Sequence, residues 1–245
     1  MKNDTHDNDP YILLLDTETC NSLEEPLVYD FGGRVLNLRT LEIPEEVSYT
    51  IFDIYAGQRE LMKTAYYAEK LPQYEIGMKN GLWKMKRFYN VRREVLSWFD
   101  KYNIIGVAAY NTKFDRRALN NTLRFLTDGK SRYFFPYGVK FYDIWTMAAN
   151  TIFQTQTYRK MAYDNEWYSE KGNVRTTAEH AWRYLTKNAD YDERHTALED
   201  VKIEMEIMLH CWKKCTEEQR EIVGNPWRAP QPYWYYTQAK KDGII

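Results

Sequence analysis

Acidic side chains at separated places along the chain have the most chemistry to offer. Asp16 and Glu18 close the stretch Tyr11-Ile-Leu-Leu-Leu-Asp-Thr-Glu-Thr19, Asp115 and Asp200 come later, and His195 lies five residues before Asp200. Two carboxylates ending an apolar run repel each other and lose water. They stay charged only if positive charge sits between them, and a divalent cation supplies it. Four converging carboxylates suit two Mg²⁺ or Mn²⁺ ions. Two such metals, about 3.5–4 Å apart, are a device for cleaving phosphodiesters. A neutral histidine beside them takes a proton from water at neutral pH.

The elements around these residues decide whether they can meet. The run Tyr11–Leu15 predicts a buried central strand, and strand alternation points Asp16 and Glu18 the same way. Val28–Leu36 predicts two strand halves around Gly32-Gly33, joined by a hairpin turn or a bulge. The β-branched alternation of Val47–Phe52 predicts a third strand. Arg59–Lys70 is helical in pattern, with Pro72 and Gly77 as breakers. Lys79–Arg87, basic and partly aromatic, predicts a loop. A helix over Val91–Tyr102 leads to a short apolar strand, Ile104–Ala109.

That strand runs into Asn111-Thr-Lys-Phe-Asp115. Asn111 suits the N-cap of a helix reaching about Thr127, and Asp115 falls in its first turn, on the face of Ala118, Leu119 and Thr122. Phe114 suits the core or stacking on a base. Val139–Tyr142 predicts a last strand, followed by a helix that Asp143 caps. Residues 154–173 are polar and Tyr-rich with little periodicity, which predicts an insertion or long loop. Thr176–Lys187 predicts a helix opened by Thr-Thr-Ala-Glu. His195 precedes a helix that carries Asp200 to about Lys213. The tail from Gly224 holds Pro226, Pro230 and Pro232 and predicts irregular structure that wraps the domain or docks a partner.

Composition narrows the class. The chain has 245 residues, 44% hydrophobic and 28% charged, enough for a sizeable α/β core. A net charge of −1 rules out a global field for nucleic acid, so any such contact comes from local patches. The 21 Tyr, 8 Trp and 10 Phe suit packing or stacking on unpaired bases. Cys20, Cys211 and Cys215 are too few and wrongly spaced for a zinc site, and they suit a reducing cytosol. No run reaches transmembrane length, and Met1–Pro10 lacks a targeting core and predicts a flexible tail. Cytoplasmic localisation is expected, in a cell or, for a viral protein, in its host. There is no phosphate-binding glycine loop. His6, His180 and His210 stand outside any motif.

Asp16-Thr-Glu18, Asn111-x-x-Phe-Asp115 and His195-x-Ala-x-x-Asp200 resemble, in order, the three exonuclease motifs of the DEDDh (DnaQ-like) 3′→5′ exonucleases. That family includes polymerase proofreading subunits, ribonuclease T and oligoribonuclease. The resemblance covers roughly residues 11–213. It implies an RNase H-like fold, a mixed five-stranded sheet flanked by helices, in agreement with three early strands and two later ones.

By that resemblance Asp16, Glu18 and Asp200 hold one cation, and Asp16 and Asp115 hold the second. His195 is the general base. Thr17, Thr19, Asn111 and Phe114 hold the terminal nucleotide. The implied domain is 11–215, with an insertion at 154–173 and an extension at 216–245 suited to a protein partner. The implied substrate is a nucleic acid with a free 3′ end, single-stranded DNA first. RNA is the alternative, since no residue declares recognition of the 2′-hydroxyl. A non-catalytic binding module of the same fold is the rival from another class, and it has no need of all five catalytic residues. No feature of the sequence sets an oligomeric state.

Overall fold

In the computed structural model the described residues are 9–81, 83–193, 195–221 and 233–245. The chain forms two compact units, Met1–Tyr142 with Arg194–Lys202, and Asp143–Glu193 with Ile203–Ile245.

The first unit is built on a mixed sheet. β1 (Tyr11–Cys20), β2 (Leu27–Asn37) and β3 (Glu45–Ile51) form an antiparallel meander. Helices α1 (Phe52–Tyr55), α2 (Arg59–Met62) and α3 (Leu71–Lys79) follow. Then come β4 (Lys84–Lys86), α4 (Phe88–Lys101), β5 (Ile104–Ala109), α5 (Thr112–Leu126) and β6 (Phe141–Asp143). The strand order is β4-β3-β2-β1-β5-β6, with β5 parallel to β1. The sheet therefore has six strands, one more than the sequence predicts. The extra strand is β4, three residues paired in parallel with β3 inside the predicted Lys79–Arg87 loop. A strand this short shows no alternation to read, and its lysines suit a sheet edge.

Alternation along β1 decides which helix sees which face. Leu13 and Leu15 join one core with Phe31, with Val91, Val95 and Trp98 of α4, and with Ala118, Leu119 and Leu123 of α5. Ile12 and Leu14 point the other way and are fully buried. A strand apolar on both sides must be covered on both sides, which is why its sequence shows a run rather than an alternation.

Several predicted boundaries shift. β2 is continuous through Gly32-Gly33, so these glycines make neither a hairpin turn nor a bulge. The helical pattern of Arg59–Lys70 resolves into α2, a 3₁₀ turn at Ala68–Lys70, and α3. Pro72 starts α3 rather than ending a helix, because a first-turn residue needs no backbone N–H donor. Gly77 lies inside α3 because the Trp83 ring occupies the place of a side chain, 2.4 Å from where a Cβ would stand. Of the expected flexible tail, residues 1–8 lie outside the described residues. Asp9 is buried and accepts a hydrogen bond from Asn37 (3.1 Å).

The second unit contains α6 (Ile144–Thr151), α7 (Gln156–Asp164), α8 (Ala178–Thr186), the end of α9 (Ala197–Trp212), α10 (Glu217–Arg220) and α11 (Tyr233–Lys241). The expected loop at 154–173 thus carries a helix. Thr155 caps α7 by accepting from the Tyr158 N–H, and Tyr158, Arg159 and Ala162 are buried. Tyr and Arg count as polar in a periodicity reading, yet both are buried here, which hid the helix. The tail also holds a helix, α11, beginning after the last proline, while residues 222–232 lie outside the described residues. Asp143 does not cap α6 through its side chain; its carboxylate accepts from the Thr146 hydroxyl (2.6 Å) instead. Burial pushes the Cys20 and Cys211 thiols up to about 11, which keeps them protonated packing groups.

His180 makes this unit acid-sensitive. Thr177 caps α8 through the His180 N–H, and its hydroxyl meets the ring Nδ1 at 2.7 Å. Burial first, then the charges of Arg183 and Arg175, lower the imidazole from 6.5 to about 4. The unfolded chain takes up this proton near pH 6.5, whereas the folded chain resists it until about pH 4. This contribution to stability is therefore complete above pH 6.5 and lost as pH falls towards 4. Thermal melts across that window should show a shallower fall in Tm for His180→Gln than for the parent chain. Equal slopes would contradict it.

Candidate active site

The acids gather at the end of β1. Glu18, His195 and Asp200 each present a ligand atom within 4.8 Å of the others, with Glu18 and Asp200 buried and His195 half-buried. The two carboxylates supply oxygen donors of the kind a hard divalent cation takes, and the imidazole stands beside them as a group that can accept a proton. Asp16 is half-buried on the same strand face as Glu18, and Asp115 is buried at the start of α5; both stand outside that trio.

Asp115 reaches β1 from the opposite face. Its Oδ1 accepts a hydrogen bond from the Thr17 hydroxyl (2.8 Å), and Thr17 shares its face with Leu13 and Leu15, against which α5 packs. The strand end is thus met by α5 on one side and by the start of α9 on the other. Thr19 is buried, and its carbonyl accepts from the Tyr66 N–H (3.3 Å). Asn111 is exposed and adopts a left-handed conformation (φ 66°), so its side chain does not cap α5 as predicted. The sharp turn lets β5 pass directly into α5, and Phe114 N–H returns to the Asn111 carbonyl (2.7 Å). Phe114 is half-buried beneath the Arg117 guanidinium (5.6 Å to the ring centre).

The seat of α9 depends on Asp30, which the sequence reading passed over, and on Gly32, which it took for a turn or bulge. Asp30 lies opposite Glu18 in the β1–β2 ladder, and Gly32 lies opposite Asp16, so all four share one face. The buried Asp30 carboxylate accepts from the Ala197 N–H (3.1 Å), at the first residue of α9, and from the Tyr74 hydroxyl (2.8 Å). The first N–H groups of a helix have no partner within it, and a carboxylate there suits the helix dipole. Burial pushes this carboxyl up to about 6, with the hydrogen bonds from Tyr74 and Ala197 opposing the rise. Gly32 makes the close approach possible, since a Cβ there would lie 2.4 Å from the Ala197 carbonyl carbon and the Leu198 nitrogen. An aspartate in the middle of an apolar strand, two residues before a glycine, was the available signal.

His195 sits just before α9 in a left-handed conformation (φ 52°). Its ring stacks on Tyr67 with centroids 3.9 Å apart and planes 15° from parallel. Lys84 and Lys86 of the basic segment lie on β4, where Lys86 pairs with Glu94 and covers the Tyr49 ring. Trp83 packs against Tyr74 (4.6 Å between centroids).

A mixed α/β sheet whose central strand carries two acids in its second half, met by one helix from each face, is a fold this chain shares with DEDDh exonucleases. The nuclease domain of 3′hExo, a DEDDh family member bound to rAMP, superposes with a TM-score of 0.52 at 16% identity, over 90% of this chain and 99% of that one. A 3′-exonuclease structure showing 3′-end-specific recognition of the histone mRNA stem-loop gives 0.51 at 16%, over 86% and 84%. E. coli Exonuclease I in complex with a 5cy-dT13 oligonucleotide gives 0.52 at 11%, over 84% of this chain and 41% of that one. No protein-family model matches the chain, and no curated protein matches it in sequence. No helix among the described residues is long and apolar enough to cross a membrane.

Proposed function

We propose that this chain is a metal-dependent 3′→5′ exonuclease that removes nucleoside 5′-monophosphates from single-stranded DNA. The observation that carries the reading is the meeting of Glu18, His195 and Asp200 at the end of β1, in a fold shared with DEDDh nucleases. Asp16, Glu18, Asp115 and Asp200 would hold two Mg²⁺ or Mn²⁺ ions. Such ions stabilise the charge that develops on the attacking and leaving oxygens of a phosphodiester.

The chain's own residues do the rest. His195 accepts the proton of the attacking water, and the Tyr67 ring fixes the plane of its imidazole. Thr17 holds Asp115 in place, so its part in gripping the nucleotide falls to its backbone. Thr19, Asn111 and Phe114 would hold the terminal nucleotide. The exonuclease domain spans 11–215 and works in the cytosol, and the 216–245 extension serves a protein partner.

RNA is a second reading, favoured by one observation: the 3′hExo neighbour holds rAMP. The deciding experiment digests 3′-labelled single-stranded DNA, duplex DNA and RNA side by side with Mn²⁺, with and without chelator. Mononucleotides should be released stepwise from the 3′ end of single-stranded DNA, and chelation should stop them. Cleavage that persists in chelator, or that starts internally, would overturn the proposal.

A further inference from the structure

We propose a second nucleic-acid contact zone, a basic and aromatic groove between α4, α5 and the segment 131–139 that takes the strand upstream of its 3′ end. The inference deepens the exonuclease reading and rests on it. The groove has a cavity volume of about 590 Å³ and contains none of the five candidate catalytic residues. This size falls within the roughly 300–1,000 Å³ of ligand clefts.

Its chemistry suits phosphates and unpaired bases. Arg92, Arg116 and Arg132 line it, and none of them forms an ion pair with a carboxylate among the described residues. Arg92 instead donates to the Phe134 carbonyl (2.9 Å) and the Tyr133 carbonyl (3.2 Å), and the Arg116 guanidinium lies over the Phe141 ring (4.5 Å). Three guanidinium groups left without carboxylates, on a chain of net charge −1, form a local positive patch. Tyr133 and Tyr137 are 66% and 106% exposed, large rings with no core to fill. Arginines interleaved with exposed aromatic rings are the pattern of single-strand binding, where phosphates meet charge and bases stack.

The groove is a built feature. The Asn120 side-chain Oδ1 accepts the Phe134 N–H (2.8 Å), so α5 and Arg92 together hold the segment's backbone in place. Its position also fits the task. Arg116 directly follows Asp115 on α5, and Asn120 lies about 6 Å further along the helix at 1.5 Å per residue. The groove thus begins one residue beyond Asp115 on α5, within reach of a strand whose 3′ end lies at that acid.

Two measurements test this on the full chain. In EDTA, which prevents digestion, fluorescence anisotropy follows the binding of labelled oligothymidylate. Arg116→Gln/Arg132→Gln should weaken binding and flatten the log–log salt dependence by about 1.4, or roughly 0.7 for each phosphate no longer neutralised. Tyr137→Ala should weaken it at least about 5-fold through the loss of stacking. With Mn²⁺, the double variant should raise KM for a long oligonucleotide while leaving kcat, and the digestion of a dinucleotide, unchanged. Unchanged binding and KM, or an equal loss on the dinucleotide, would overturn the groove. Groove-dependent binding by a chain that digests nothing would uphold the contact zone and remove the exonuclease reading alone.

Discussion

Asp200→Asn should lower kcat on the order of 10³-fold or more while leaving the fold intact. The amide keeps the shape of the side chain and removes its charge from a trio whose ligand atoms lie within 4.8 Å of one another. Asp200 and Glu18 are both buried, so in the absence of cations their like charges repel at short range and low dielectric. The same substitution should therefore leave the melting temperature of the metal-free protein unchanged or raise it. The parent chain should gain stability with Mn²⁺, about 2.7 kcal/mol at a hundredfold excess over Kd. For a chain of this size that is several degrees in Tm. The variant should gain much less. A variant that keeps near-parental activity, or an identical Mn²⁺-induced rise in Tm, would remove Asp200 from the metal site. Thermal shift and steady-state digestion together separate a missing ligand from a damaged fold.

Gly32→Ala should be nearly as damaging, by a different route. The added Cβ would stand 2.4 Å from the backbone of Ala197 and Leu198. Backbone atoms have no rotamer by which to move aside, so either α9 lifts from the sheet or β2 bends. Overpacking of this kind costs about 1–3 kcal/mol. Lifting α9 would also stretch the Ala197-to-Asp30 hydrogen bond and shift His195 and Asp200 relative to Glu18. A displacement of about 1 Å at such a site costs on the order of 10² in rate. Gly33→Ala is the matched control. Its Cβ would face the Phe31 ring at 3.2 Å, a side chain rather than another element's backbone, on the face away from α9. It should lose little activity. A Gly32→Ala variant with parental Tm and kcat/KM would show that α9 does not depend on this close approach.

Much of the site was legible in the amino-acid order because its residues are local punctuation. Asp16 and Glu18 interrupt an apolar run that must be buried. Asp115 opens a helix on its packed face, and Asp200 follows His195 by one helical turn and a residue. Strand and helix periodicity then place each acid at an element end, where sheets carry their sites. Short elements and long-range supports were not legible in this way. β4 is too short to alternate, and α7 hides its buried face behind Tyr158 and Arg159.

The sequence by itself determined the inventory of chemistry, the apolar central strand and the order in which the acids arrive. Only the tertiary structure decided how they meet. Asp30 supports a helix start 167 residues away, and Gly32 is vacant of side chain because another backbone passes there. Thr17 ties β1 to Asp115, and Tyr67 stacks on His195. The physical reason is one of range. Alternation and helical period are set by neighbours a few residues apart, whereas a cap, a close approach or a ring stack is set by whatever the folded chain brings alongside.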